Sequence, residues 1–501
     1  MKSNHKQKTR LYRESIRLAK FCQNNMYAEA EALALTMTRD YPKDGFAWKA
    51  LGIIFRNTGK LTEAVEANQK AVDLLSKDAE AHTNLGVTLK AIGNLDAALL
   101  SHKRALEIQP DFVDAHNNMG SVYRALKKNV KAVNCFEKAI SLNPKSASAH
   151  ANLGVTFQEL GRLSSAEACY KKAIKLNPNY AVAYYNFGTL LKERGQLDGA
   201  KACYKKAISI NPEYYDALHA LGRVLEELSL YKEAVSVFRQ ALQVDDSRTF
   251  SHDQILTCLF NTNERHEFIN ELDNFLANGR ISATAGSLIS RAFIKYEIKK
   301  QNPFCQNPLS YVLHKNLLDI YDFDNTFVQS TRYLLKSDQQ FRRQTLIVGG
   351  QQTFGNIFDF DDSRLRQIEK IIRSEISNYL LHYASSEEGF LRRWPKEYNL
   401  NGWLISLKNG GELLPHIHER GWLSGSIYIK VPQNLPDNDG NLVVSLGNEN
   451  DSSTSVLNKA NTINVRTGSM VLFPASLMHH TIPFESEEDR IVLAFDVVPR
   501  F

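Results

Sequence analysis

Glu80-Ala81-His82-Thr83-Asn84-Leu85-Gly86 returns 34 residues later as Asp114-Ala115-His116-Asn117-Asn118-Met119-Gly120, and again as Ser148-Ala149-His150-Ala151-Asn152-Leu153-Gly154. Glycine keeps this period at Gly52, Gly86, Gly120, Gly154, Gly188 and Gly222. Alanine keeps it twice, from Ala64 to Ala234 and from Ala71 to Ala241. Pro110, Pro144, Pro178 and Pro212 close four of the units. Gly and Ala let the two helices of a hairpin approach closely, and Pro ends the second helix at the turn. A fixed period of this length implies an all-α solenoid of stacked hairpins.

The period and pattern resemble tetratricopeptide repeats. Six clear units run from residue 45 to 246, and a degenerate one carrying Ala30 and Pro42 in register extends the array to residues 11–246. Residues 1–10 are expected to be disordered, and residues 247–300 to form irregular helices capping the stack. Such a solenoid curls into a groove lined by the first helix of each hairpin, and the resemblance implies a peptide or protein ligand there. Asn84, Asn118, Asn152 and Asn186 occupy one register of that helix. An amide ladder of this kind can bond an extended backbone. Arg56, Lys90, Arg124 and Lys192 recur on the same helix and favour an acidic ligand. His82, His116 and His150 stand one repeat apart, too far to share an ion, and read as packing residues beside Trp48 and Tyr184 in the same register.

The chain of 501 residues is long enough for two or three domains. A net charge of +6 is too mild to argue for nucleic acid. The opening Met1-Lys2-Ser3-Asn4-His5-Lys6 has no apolar run suited to secretion, and no stretch has membrane-span length. A cytoplasmic location is therefore expected, with no membrane partner. Six cysteines include no Cys-x-x-Cys pair, and three of them, Cys135, Cys169 and Cys203, follow the repeat period as buried packing residues.

From about residue 301 the period stops. A helical stretch is expected through Leu335, a strand over Gln344–Val348, and a turn-rich segment over Gly349-Gly350-Gln351-Gln352-Thr353. Asp362 or Ser363 caps a helix whose apolar stripe is Leu365, Ile368, Ile371, Ile372, Ile376 and Tyr379. Beyond Gly402 the pattern predicts strands over 403–408, 416–418, 422–431, 441–446, 461–465, 469–473, 478–484 and 490–498. Helices followed by short antiparallel strands imply an α+β jelly-roll, and so a multidomain chain.

Within that region lies Gly410-Gly411-Glu412-Leu413-Leu414-Pro415-His416-Ile417-His418, followed at a distance by His479 and Arg490. On a strand His416 and His418 would share a face. Two imidazoles, a third from a distant strand and a cation beyond make an iron site with an organic acid cosubstrate. These residues, with Pro474 to Pro483, resemble the iron(II)/2-oxoglutarate-dependent oxygenase superfamily over roughly residues 301–501, with a double-stranded β-helix as the implied fold. The resemblance implies Fe(II) and 2-oxoglutarate, with metal ligands His416, His418 and His479 and cosubstrate residue Arg490. Position 418 departs from the family's usual carboxylate. Glu419 is the alternative there, although the next residue on a strand faces away, and His480 is the alternative to His479.

Three readings follow. The first is a hydroxylase using iron(II) and 2-oxoglutarate on a peptide or protein recruited by the repeats. The second is a binding scaffold whose barrel is vestigial. The third is a three-histidine iron oxygenase that does not use 2-oxoglutarate, which Arg490 argues against.

Overall fold

The computed structural model of the chain describes residues 2–248, 250–336, 341–342, 346–353, 355–360, 362–436, 438–448 and 459–500. It resolves into two compact units, Met1–Val224 and Leu225–Phe501. Among the described residues seventeen helices precede the sheets, and no helix is long and apolar enough to cross a membrane.

In the first unit the helices form hairpins. These are α1 (Lys2–Gln23) with α2 (Tyr27–Asp40), α3 (Gly45–Asn57) with α4 (Leu61–Leu74), and α5 (Ala79–Ala91) with α6 (Leu95–Ile108). Next come α7 (Val113–Ala125) with α8 (Asn129–Leu142), α9 (Ala147–Glu159) with α10 (Leu163–Leu176), and α11 (Ala181–Glu193) with α12 (Leu197–Ile210). A further helix, α13, spans Tyr215–Glu227. Helix α1 begins within the segment expected to be disordered.

The periodic glycines have one use. A Cβ on Gly120, Gly154 or Gly188 would lie 2.7–2.8 Å from the ring of Phe136, Tyr170 or Tyr204 on the second helix. Gly52 and Gly86 receive Asn68 and His102 in the same way. The period therefore encodes a side chain of one helix, a ring in four of these five units, seated on the bare backbone of the other. His82, His116 and His150 pack as expected and also clamp the repeats. Each ring Nε2 meets the carbonyl six residues back, on Ser76, Pro110 and Pro144, at 3.1, 2.9 and 3.2 Å. The Trp48 indole donates likewise to Pro42 at 3.0 Å. Successive first helices (α3, α5, α7, α9, α11) touch one another more closely than successive second helices do, which puts them on the inside of the curve.

The second unit opens with α14 (Tyr231–Val244), α15 (Phe250–Asn261), α16 (Arg265–Ala277) and α17 (Ala283–Tyr296). The expected helical stretch up to Leu335 is only partly helical. It contains a 3-10 turn at Pro308–Tyr311, strand β1 at Leu313–Asn316, a π-turn at Asp324–Val328, and then α18 at Gln329–Lys336. The short β2 is Phe341–Arg342, and Gln344 lies outside the described residues. Residues 349–353, read as a turn, belong instead to β3, Ile347–Thr353. β3 pairs with β4 (Tyr398–Leu413) across a bulge between Val348 and Gly350. The bulge depends on glycine: Gly349 has φ +63°, and a Cβ there would stand 3.0 Å from Gly411 Cα.

Helix α19 (Ser363–His382) starts at Asp362, whose side chain accepts from Arg364 N, and α20 is Gly389–Arg392. The remaining strands are β5 (Leu423–Lys430), β6 (Leu442–Ser445), β7 (Ala460–Ile463), β8 (Ser469–Pro474), β9 (Met478–Thr481) and β10 (Arg490–Pro499). A seven-stranded antiparallel sheet has the order β1-β8-β5-β10-β4-β3-β2, and a three-stranded sheet has the order β7-β6-β9. Leu365, Ile368, Ile372, Ile376 and Tyr379 of α19 share one core with Leu423, Ile427, Leu493, Phe495 and Val497. Strand alternation sends the intervening residues of β5 and β10 to the opposite face of the large sheet. Tyr428 and Val492 from that face join Leu442, Val444, Phe473 and Leu477 in a separate core cluster. The fold is thus a tetratricopeptide-like solenoid followed by a jelly-roll with helical backing.

Candidate metal centre

β4 ends at Leu413, and Pro415, which lacks an N–H, interrupts pairing before the histidines. The expected strand 416–418 is therefore reduced to one bridge. His416 N donates to His479 O at 3.1 Å, and His479 N donates to His416 O at 2.9 Å. His418 then opens a turn that Gly421 N closes on the His418 carbonyl at 2.8 Å. Convergence of the two rings comes from this bridge and turn, not from strand alternation.

The imidazoles do converge. His416 Nε2 and His418 Nε2 are 3.0 Å apart, and one nitrogen from each of His416, His418 and His479 lies within 4.8 Å of the others. Metal–imidazole bonds run about 2.0–2.1 Å, so two nitrogens 3.0 Å apart suit ligands of one ion. Each ring is held from behind through Nδ1. His416 Nδ1 meets Leu414 O at 2.8 Å, His479 Nδ1 meets Leu477 O at 3.4 Å, and His418 Nδ1 meets Asp496 Oδ1 at 2.5 Å. An Nδ1–H donated outward fixes the tautomer that leaves the Nε2 lone pair facing inward. Burial, then the His418 ring, pushes His416 down to about 3. Burial, then His416 and His418, holds His479 well below the usual range. Both rings stay neutral, with a lone pair available to ligate.

Asp496 was not legible as a site residue. It lies 7% exposed on β10, and its Oδ1 also accepts from Ser424 Oγ at 2.8 Å. A signal did exist: Asp496 shares the two-residue period of Arg490, Val492 and Ala494 in an otherwise apolar strand. Its link to His418, 78 residues away, needed the register that pairs Asp496 with Ser424. Glu419 faces elsewhere: its carboxylate receives Gln254 Nε2 at 3.3 Å and its carbonyl receives Thr284 Oγ1 at 3.4 Å, both from the helices before the barrel. His480, half-buried, pairs with Val443 on β6.

Arg490 begins β10 and is 2% exposed. Its Nε and Nη2 are buried without a hydrogen-bond partner, and the guanidinium stands 5.0 Å above the Tyr428 ring. Burial pulls it below the usual arginine range, opposed by Tyr428. Among the described residues Arg490 forms no ion pair with the Glu487–Asp489 run. Tyr428 under Arg490 and Phe473, 4.9 Å from His479, belong to one core cluster, so cation and histidines share the barrel interior. Two buried N–H groups without acceptors are costly, and an entering carboxylate offsets that cost.

The expected groove residues Asn84, Asn118, Asn152 and Asn186 are half-buried on α5, α7, α9 and α11. Asn152 donates to Asn117 Oδ1 at 3.0 Å, whereas Asn84 Nδ2 is buried without a partner.

Residues 401–496 match a family model described as "Putative 2OG-Fe(II) oxygenase". Residues 9–254 match one described as "Cilia and flagella-associated protein 70 C-terminal domain", a tetratricopeptide-type region. The chain joins tetratricopeptide-like repeats to a 2OG-Fe(II) oxygenase-like domain. Among solved structures it is similar to the APC/C hetero-tetramer Cut9-Hcn1, at 15% identity over 49% of this chain and 48% of that chain, TM-score 0.44. The chain therefore spans about half the length of that relative. It is also similar to MamA, at 29% identity over 33% of this chain and 96% of that one, TM-score 0.29. A tetratricopeptide repeat protein from Parabacteroides merdae matches at 20% identity over 50% of this chain and 99% of that one, TM-score 0.42. No curated protein matches the chain.

Proposed function

We propose that the chain is an iron(II)- and 2-oxoglutarate-dependent hydroxylase acting on a peptide or protein segment. The repeats (residues 11–246) would recruit the segment, residues 247–300 connect, and residues 301–501 carry the chemistry. The observation that carries this reading is the buried Arg490 guanidinium, its Nε and Nη2 without partners, in the same barrel as three converging imidazoles.

His416, His418 and His479 would hold the iron, and Arg490 the far carboxylate of the cosubstrate. When bound, the metal and 2-oxoglutarate supply activation of dioxygen, so that substrate, oxygen and 2-oxoglutarate give hydroxylated substrate, succinate and carbon dioxide. The chain's residues supply position and dryness. Leu414 and Leu477 carbonyls orient two rings. Asp496 orients the third and returns a negative charge one residue outward from where a carboxylate ligand would stand. Phe473, Leu477, Val444 and Val492 wall the interior with apolar surface. Tyr428 gives the Arg490 guanidinium a flat face to rest on, so little of its freedom is lost when a carboxylate arrives.

The test is anaerobic addition of iron(II), then 2-oxoglutarate, to the full-length protein, followed by visible absorption. A charge-transfer band that appears only with both, and weakens in Arg490→Ala, supports the proposal. Iron bound with no band and no response to 2-oxoglutarate overturns it in favour of iron chemistry without the cosubstrate. No iron bound leaves the scaffold reading.

A further inference from the structure

The first helices of the first unit carry a row of cations that this chain neutralises only in part. Arg56, Lys90 and Arg124 occupy one register of α3, α5 and α7, and each is half-buried. Among the described residues Arg56 and Lys90 form no ion pair. Arg124 reaches Glu159 through Nη1 at 3.2 Å, but its Nε is buried without a partner. Lys90 lies within electrostatic reach of Arg124, so neighbouring repeats add their fields instead of cancelling them. Behind Lys90 the His102 ring is 0% exposed with both nitrogens unpartnered, and it offers no counter-charge. Burial drives Arg56 and Lys90 below their usual ranges, which marks cations kept partly dry without an anion beside them. Asn84, on the same helix as Lys90, adds an unpartnered buried Nδ2 donor. Asn118 and Asn186 likewise have no side-chain hydrogen bond among the described residues, so free amides accompany the cations.

We propose that this face binds an acidic polypeptide segment, with carboxylates at about every third residue received by Arg56, Lys90 and Arg124. The spacing follows from the fold. Helices in direct contact stand about 8–10 Å apart. A polyproline-type chain rises about 3.1 Å per residue and repeats its face every three residues, so its side chains recur at about 9 Å. A flat β-strand would turn alternate residues away. Amides bond a peptide backbone, which favours polypeptide over other polyanions. The proposal deepens the reading of the repeats as the recruiting surface for the barrel's substrate, and it stands or falls without turnover.

The experiment uses the full chain with metal chelated and cosubstrate withheld, so that failure of the oxygenase reading leaves the result untouched. A labelled peptide of about ten residues, glutamate at every third position with proline between, is titrated by fluorescence polarisation. Its glutamine counterpart, a peptide with the same acids clustered, and a single-stranded polynucleotide of matching charge are the comparisons. Binding of the spaced glutamate peptide, weakened about tenfold in R56Q or K90Q and falling with salt, is the expected result. Each variant is first matched to the parent by thermal melting. The double reversal R56E/K90E should bind a lysine-spaced peptide that the parent rejects, which separates charge recognition from a folding defect. Equal affinity for the glutamine peptide, indifference to both substitutions, or tighter binding of the polynucleotide overturns the proposal.

Discussion

Replacing Asp496 by asparagine isolates what the buried carboxylate does for the metal site. The amide side chain keeps an acceptor oxygen of the same reach, so His418 Nδ1 and Ser424 Oγ can still donate to it, but the charge is gone. Hydrogen bonds to a charged group contribute about 1.5–3 kcal/mol, and neutral ones about 0.5–1.5. The difference, about 1–2 kcal/mol, is felt most when a cation draws electron density through His418. It corresponds to a loss of about five- to thirtyfold in metal affinity, within the roughly 10–100-fold range for partners of metal-bound histidines. The assay is quenching of tryptophan fluorescence by iron(II) or manganese(II) under anaerobic conditions. Trp403 is the reporter, its ring 5.4 Å from that of His418. Ser424→Ala removes the other donor to Asp496, bonded at 2.8 Å, and should cost only about two- to threefold. Wild-type metal affinity in Asp496→Asn, with an unchanged melting point of the metal-free protein, would refute the idea that Asp496 supplies the charge missing at position 418.

His102→Phe should stabilise the first unit by about 1–3 kcal/mol, because it removes two buried, unpartnered nitrogens at a position where the next repeat carries Phe136. It should also abolish a pH dependence. The folded pKa of about 4 lies below the unfolded value, so stability falls as pH drops from about 6.5 toward 4, which urea melts across that range would show. Gly120→Ala should cost about 1–3 kcal/mol, since the new Cβ would stand 2.7 Å from the Phe136 ring; calorimetry checks it. Asp253, buried and bonded to Ser282 Oγ at 2.6 Å, is raised to about 7 chiefly by burial, then by Glu419 against the Ser282 bond. Its folded pKa exceeds the unfolded one, so stability falls by about 1.4 kcal/mol per unit as pH rises from about 3.9 to about 7. Asp253→Asn should flatten that slope and melt higher than the parent at pH above about 7.

The solenoid was legible because its constraint is local and periodic: a side chain of the second helix seated on a bare backbone recurs from Gly52 to Gly188, so the spacing carries the packing. The barrel strands followed from alternation, except where glycine and proline misled. Gly349-Gly350 reads as a turn in isolation, but it is the bulge that lets β3 pass β4 at Gly411. Pro415 broke the strand expected at 416–418, and the His416–His479 bridge that replaces it joins residues 63 positions apart. The three histidines and Arg490 could be picked out by type and spacing. Asp496 could not, because its period places it on the face of Arg490 but its link to His418 depends on the β10–β5 register, which local sequence does not carry.

Oxygen consumption and succinate formation, followed together in the iron-loaded protein with 2-oxoglutarate, test the oxygenase reading most directly. Slow turnover with one succinate per dioxygen, dependent on both additions and lost in His479→Ala, is the expected result. Iron held by the three histidines with no succinate formed from 2-oxoglutarate would contradict it.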